Sequence, residues 1–470
     1  MHATATSYRP QETTPLATSP LEGEDPRITT MPHAHRAGLW AAITISAAAH
    51  TAAAQGVVWS TDVSTPGLGP AATVETFHVS SVSGTPTLYA GGDFAAPGGI
   101  LNIAAWNGLE WSPVGPPAFD GEIRAIDTID LGDGPRLYAS GFFWNDPPGV
   151  PTLSRLVGGV WSPIPAGPNA PNTWVGFIRQ VPSPTGPTLW ASSGFTDYVA
   201  AWNGSSWSVP GGGLTSVIHD ALTFDDGAGE KLYITGTFVD FEAPIRMLAT
   251  WDGTSFADGG GGLNGTGDAL AVFDDGRGPA LYVAGSFNRV GAFPNVVHAG
   301  NIARWDGSTW EPLGTGTNRS VHAISVFDDG SGPKLYAAGD FTTAGGQPAN
   351  GIARWDGNSW SPVGAGLTFT LNEGGRALRT FDPDGDGPAP PRLYIGGHFN
   401  SAGGNPAVGI AALAPCPAEI DGDAALGVPD IFAFLSLWFA SDPRADFDGV
   451  PGIAVPDIFA FLSAWFAGCG

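Results

Sequence analysis

The 470-residue chain contains only two lysines, Lys231 and Lys334, and only two cysteines, Cys416 and Cys469. Charged residues make up 13% of it, and 19 Lys and Arg stand against 44 Asp and Glu, for a formal net charge of −25. So few cations cannot neutralise a phosphate backbone, which excludes nucleic acid and anionic membranes as partners. No cysteine precedes Cys416, so the long stretch before it has neither a thiol nucleophile nor a cysteine-ligated metal. Gly-x-Ser-x-Gly and His-Glu-x-x-His are also missing, which removes two common hydrolase signatures. No apolar run approaches the roughly 20 residues of a membrane span. What is plentiful is glycine (69), proline (42) and tryptophan (17). With many β-branched residues, that mix suits a turn-rich β protein and not a disordered chain.

The N-terminal region has the order of a displaced secretory signal. Residues 1–30 are polar. Met31 then opens a segment with Arg36, an apolar stretch from Gly38 to Ala49, and small residues Ala52, Ala53 and Ala54 before Gln55. That is the basic, apolar and cleavage-site order of a signal peptide. We therefore expect a start at Met31, cleavage after Ala54 and a secreted protein, with residues 1–54 removed. Their loss takes three arginines and four acids and leaves a net charge of −24.

The body of the chain repeats one pattern. Its clearest copy, from Val321 to Gly366, reads VHAISVFDDGSGPKLYAAGDFTTAGGQPANGIARWDGNSWSPVGAG. A Leu-aromatic step recurs at Tyr89, Tyr138, Trp190, Tyr233, Tyr282, Tyr336 and Tyr394. Such a period of about 50 residues, with short alternating strands and Asp-Gly turns, predicts one four-stranded blade per repeat. The seventh repeat lacks its Trp-bearing last strand, and a lone strand at Val57–Ser60 has the right character to supply it. The expected fold is mainly β: a seven-bladed β-propeller over residues 55–414, closed by its N-terminal strand so that no edge is free. In its period, paired glycines and Tyr and Trp anchors, the repeat resembles Kelch-type propellers. It is closer to secreted bacterial repeats reading LYAGGDFTTAGG…IARWDG and to the repeats of fungal cortical polarity marker proteins. That resemblance implies a fold more than an activity.

Catalytic candidates are sparse. His219 and His322 stand at the same distance before their Leu-aromatic anchors, Tyr233 and Tyr336, and residues repeated between blades usually serve the fold. His398 breaks the repeat, standing where Asp93 and Asp340 stand elsewhere. On sequence it reads as a lone surface histidine. The Asp-rich hairpins, Asp225-Asp226, Asp274-Asp275, Asp328-Asp329 and Asp382 to Asp386, read either as turns or as the start of calcium loops. The tryptophans read as blade core or as sugar-stacking platforms.

At Cys416 the composition changes. EIDGDAALGVPDIFAFLSLWFA (419–440) and DFDGVPGIAVPDIFAFLSAWFA (446–467) are two copies of one loop and helix. Residues 415–470 resemble a type I dockerin, and the Cys-bracketed, WFAGC-ending form resembles the GC-type dockerin-like anchors of secreted planctomycete-type proteins. The resemblance implies Ca2+ ligands at loop places one, three, five and twelve: Glu419, Asp421, Asp423 and Asp430 in the first copy, and Asp446, Asp448 and Asp457 in the second. Both copies depart from the pattern. Place five of the second is Val450, place six is Ala424 or Pro451 instead of glycine, and place nine (Gly427, Ala454) has no side-chain oxygen. The resemblance also implies a cohesin-like or envelope partner chosen by Val428-Pro429 and Val455-Pro456. Because these pairs are identical, binding in two orientations is expected. Two cysteines at the ends of a secreted module read as one disulfide, Cys416 to Cys469.

Three functions fit these readings. One is a non-catalytic secreted binding or scaffold protein, with an unknown protein or glycan ligand on the propeller. The others are a polysaccharide-degrading enzyme component and a structural surface or adhesion protein.

Overall fold

The computed structural model describes residues 57–467 apart from 61, 65–66, 118, 144–151, 172–173, 194–198, 215, 241–244, 371–372, 386–389, 417, 419, 421–426 and 448–451. The expected signal segment lies outside the described residues.

Among the described residues are seven four-stranded antiparallel sheets, formed one after another along the chain. Their first strands are Thr73–Ser80, Ile123–Ile129, Val175–Val181, Ile218–Asp225, Thr266–Asp274, Val321–Asp328 and Gly374–Phe381. Sheet 6 continues through Pro333–Gly339, Ile352–Trp355 and Trp360–Pro362. Each Leu-aromatic anchor falls in a second strand. Sheet 7 draws on both ends of the repeat region: Val57–Ser60 pairs antiparallel with Ile410–Pro415, Val57 opposite Pro415 and Ser60 opposite Ala412.

The apolar cores lie between sheets. Alternation gives each strand two apolar faces, and each face packs on the neighbouring sheet. Tyr336 and Ile352 of sheet 6 meet Leu393 and Ile395 of sheet 7. Phe381 and Tyr394 of sheet 7 meet Phe77 and Ala90 of sheet 1. The last sheet thus packs on the first, a β-propeller-like arrangement.

The repeated acids act within the turns and sheets. Asp328 Oδ1 accepts from the Gly330 and Gly332 amides at 2.9 and 3.0 Å, and Asp225 and Asp274 do the same in their turns. The second acid turns inward. Asp329 is fully buried and accepts from Tyr336 Oη (3.0 Å), Lys334 Nζ (2.9 Å) and Arg354. These hairpins are therefore Asp-braced turns, and the Tyr and Arg of the repeat hold the second acid. The fourth-strand tryptophans of sheets 5 and 6 clasp the preceding repeat. Trp310 Nε1 donates to Gly260 O at 2.7 Å and Trp360 Nε1 to Leu313 O at 2.8 Å. Their rings are buried, so they are core residues and not sugar platforms.

The C-terminal copies form helices α1 (Val428–Phe439) and α2 (Val455–Ala467). Phe434 and Phe461 stack between them, centroids 4.1 Å apart. Trp438 Nε1 donates to Ala454 O at 3.0 Å, and Trp465 Nε1 returns the bond to Gly427 O at 2.9 Å. The two copies are locked by the same contact made twice. Val58 of the closing strand packs against this small core. No helix among the described residues is long and apolar enough to cross a membrane.

Candidate functional site: an axial cavity

Every first strand carries a β-bulge near its start. An extra residue on one strand bends it and re-aims a side chain. In sheet 6 the pairing jumps from Val321–Gly339 to Ala323–Ala338, leaving His322 as the extra residue. The bulge brings the two backbones so close that a Cβ on Gly339 would lie 2.1 Å from Ser320 O. This close approach explains the glycine before Asp340-Phe341.

The bulged positions are Glu75, Arg124, Gly176, His219, Asp268, His322 and Arg376, one per sheet. Together they border a cavity of about 570 Å³ that touches all seven first strands. It adjoins a second cavity of about 520 Å³, which shares Arg124, Arg179, Asp220 and Arg379 and adds His78, Asp127, Thr128 and Gln180.

Charge networks join sheets around this axis. Asp268 accepts from His219 Nδ1 at 2.9 Å and His322 Nδ1 at 3.1 Å, tying sheets 4, 5 and 6. His322 Nε2 lies 4.0 Å from Asp340. His398 Nε2 lies 2.5 Å from Glu75 Oε1, and Arg124 stands 3.9 Å from that carboxylate, tying sheets 7, 1 and 2. His398 is therefore not a lone surface residue. Burial raises the pKa of Glu75, but the His398 bond and the Arg124 charge outweigh it and hold the carboxyl below its ordinary value. Asp268 is likewise lowered, because its two histidines outweigh its burial.

The second tier behaves differently. Burial, reinforced by the Arg379 and Arg179 charges, pushes His78 down to about 4, so it is neutral near pH 7. Its Nε2 lies 2.8 Å from Thr128 Oγ1 and its Nδ1 lies 3.6 Å from Asp127. Burial raises Asp127 and Asp220 despite the Arg179 charge. Both Asp220 oxygens accept backbone amides, from Ala221 at 2.8 Å and Leu270 at 2.9 Å. The cavity has hydrogen-bonding groups and guanidinium charge. Its best-placed acids are tied to the backbone, a poor arrangement for proton transfer.

Sequence reasoning singled out His219, His322 and His398 but missed the arginines and acids of the axis. A signal was available: the bulged position changes character from repeat to repeat, from acid to arginine, glycine and histidine.

The residues expected from the dockerin resemblance are partly in view. Glu419, Asp421, Asp423, Asp448 and Cys469 lie outside the described residues. Asp430 is fully buried; its oxygens accept the Ile420 and Gly427 amides, each at 2.7 Å. Asp457 repeats this with Phe447 and Ala454, again at 2.7 Å. The twelfth-place acids thus brace loop places two and nine. Asp446 Oδ1 is buried with no hydrogen-bond partner among the described residues, as an acid suited to a cation would be. No group of three metal-binding side chains is found among the described residues. Cys416 is buried, and no free thiol is present among the described residues. Val428, Pro429, Val455 and Pro456 are all exposed.

No family model matches the chain, and no curated protein matches it. Among the solved structures that resemble it, three do so at low sequence identity. The extracellular domain of a putative hybrid two-component system from B. thetaiotaomicron is 12% identical, with a TM-score of 0.42 over 78% of this chain and 41% of that one. The GH74 xyloglucanase from Xanthomonas campestris is 15% identical, with a TM-score of 0.41 over 73% of this chain and 43% of that one. BBS1N in complex with ARL6DN is 10% identical, with a TM-score of 0.43 over 77% of this chain and 96% of that one. The chain spans less than half the length of the first two.

Proposed function

We propose that this chain is a secreted, non-catalytic binding protein, a seven-bladed β-propeller displayed through a dockerin-like C-terminal module. One observation carries the reading: α1 and α2 expose the same apolar residues twice. Phe432 and Phe459 are each 65% exposed, and Phe439 and Phe466 are 76% and 77% exposed. Val428 and Val455 stand exposed beside them. Helices that spent their apolar residues only on each other would not leave four phenylalanines in water. The duplicated set is a docking surface that a cohesin-like or envelope protein can meet in either of two orientations.

Calcium ions, where bound, would be held by Glu419, Asp421, Asp423 and Asp430 in the first loop and by Asp446, Asp448 and Asp457 in the second. They would stiffen loops that Asp430 and Asp457 already brace. A Cys416–Cys469 disulfide closing about 50 residues would add roughly 4 kcal/mol by the chain-entropy relation. A hydrolytic reading has one observation in its favour, the raised carboxyls of Asp127 and Asp220 in a cavity. The amide bonds on Asp220 argue against it.

The test is capture by the immobilised full chain from secreted and envelope fractions, with and without chelator, beside a Phe432→Asp/Phe459→Asp variant. One specific partner, lost in the variant, is the expected result; loss on chelation adds the calcium role. Equal capture by the variant, or none by either, would overturn the docking role of the helices.

A further inference from the structure

Arg179 of sheet 3 and Arg379 of sheet 7 reach the same cavity from opposite parts of the ring. In a chain with more than twice as many acids as bases, a pair of converging guanidiniums is unusual. Asp127 and Asp220 offset part of their charge from a distance, but neither arginine has a close ion pair among the described residues. The closest acid to Arg179 is Asp220, at 3.9 Å. Arg379 makes no ion pair or hydrogen bond among the described residues; its side chain is exposed and lines the cavity, and Arg179 opposes its charge. The nearby acids are committed elsewhere, Asp220 to two backbone amides and Asp127 to the Thr128 amide at 2.8 Å. Two like charges that line one cavity without a contact partner repel each other in the empty site.

An oxyanion between the two forks would relieve this. Guanidinium N–H groups match carboxylate, sulfate and phosphate oxygens in parallel pairs. The second cavity, about 520 Å³, is in the range of small-molecule sites and larger than a bare oxyanion needs. His78 and Thr128 line it while bonded to each other, and Gln180, whose Oε1 accepts the Asp130 amide, adds an amide NH2 suited to hydroxyls. We infer that the axial cavity binds a small hydroxylated ligand bearing an oxyanion, of sugar-acid size, with the oxyanion held between Arg179 and Arg379. This deepens the reading of the chain as a binding protein, but it does not depend on what the helices dock to.

The test is calorimetric titration of the full chain with glucuronate, inorganic sulfate and glucose, for the natural sequence and for Arg179→Gln, Arg379→Gln and Arg444→Gln. Arg444 lies on the far module and serves as a control. Expected are binding of an anion at least tenfold tighter than glucose, weakening with added salt, and a loss of about ten- to a hundred-fold in either cavity variant but none in Arg444→Gln. Glucuronate tighter than sulfate identifies a sugar acid; the reverse identifies a free oxyanion, keeps the arginine clamp and overturns the sugar part. If Arg379→Gln fails to fold, Arg379→Lys keeps the charge but not the fork, and an intermediate loss is expected. Glucose bound as tightly as glucuronate, no anion bound, or unchanged affinity in both cavity variants would overturn the inference. A failed titration with successful partner capture rejects the cavity site alone; the converse rejects the docking helices alone.

Discussion

The Asp cages give a graded test of how this repeat is held together. Asp329, Asp275 and Asp226 occupy one place in three consecutive repeats, but their surroundings differ. Asp329 is fully buried and faces two nearly buried cations, Lys334 and Arg354. Asp275 is also fully buried and faces Arg304, nearly buried at 3.4 Å, and the half-exposed Arg277. Asp226 is 10% exposed and pairs with Lys231, 32% exposed; Thr250 stands where the other repeats have arginine. Replacing each by asparagine keeps the shape and removes the charge. Breaking a buried pair from one side strands the remaining charge and costs about 3–5 kcal/mol. A half-solvated pair is worth about 1 kcal/mol or less. Asp329→Asn should therefore cost most, Asp275→Asn nearly as much, and Asp226→Asn about 1 kcal/mol. With an unfolding entropy of roughly 2.1 cal/mol/K per residue over about 360 residues, each kcal/mol moves the melting point by roughly 1.3 °C. Scanning calorimetry should show drops of about 4–7 °C for Asp329→Asn and about 1 °C for Asp226→Asn. The Asp275 and Asp329 carboxyls are held below their ordinary value of 3.8, because their hydrogen bonds and cations outweigh burial. Their contribution is therefore fully present above about pH 4 and is lost as the pH falls through the lower folded pKa. Equal costs at all three positions, or the largest cost at Asp226, would refute the reasoning.

Two further outcomes follow from the axis and the ring. His78 has a folded pKa of about 4 against an ordinary 6.5, so the unfolded chain takes up a proton that the folded one refuses. Stability should fall by about 3 kcal/mol between pH 6.5 and 4, and His78→Gln should remove that part of the slope in urea melts; an unchanged slope would show that His78 titrates normally. Deleting residues up to Ser60 removes the strand paired with Ile410–Pro415 and exposes a sheet edge. A lower melting point and concentration-dependent association in light scattering are expected, and a monomer of unchanged stability would show that the strand is dispensable.

Much of the architecture was legible in the chain because it depends on local periodicity. The Leu-aromatic anchors each mark a second strand, and the Val57–Ser60 strand joins the last sheet as its missing partner. The Asp-Gly turns were legible because a turn needs its own residues. The role of the second Asp was not, since its partners Tyr336 and Arg354 lie further along the chain, on the second and third strands of the sheet. Nor did the sequence separate core tryptophans from binding tryptophans, because Trp360 donates to Leu313 O in the preceding repeat. For the helices, the doubled text marked a repeated loop-and-helix unit. Which of its phenylalanines stack and which face water depended on how α1 and α2 lie against each other.

By itself the sequence determined the number and order of the repeats, their strands and turns, and the helical pair, since each follows from spacing inside a single repeat unit. The tertiary structure decided the site. Glu75, Arg124, Gly176, His219, Asp268, His322 and Arg376 each come from a different repeat, and the glycine leaves one place in the series without a side chain. They share a cavity only because the bulge in each first strand aims that position at a common axis. Convergence of this kind arises from arranging the sheets around a ring, and no window along one strand contains it.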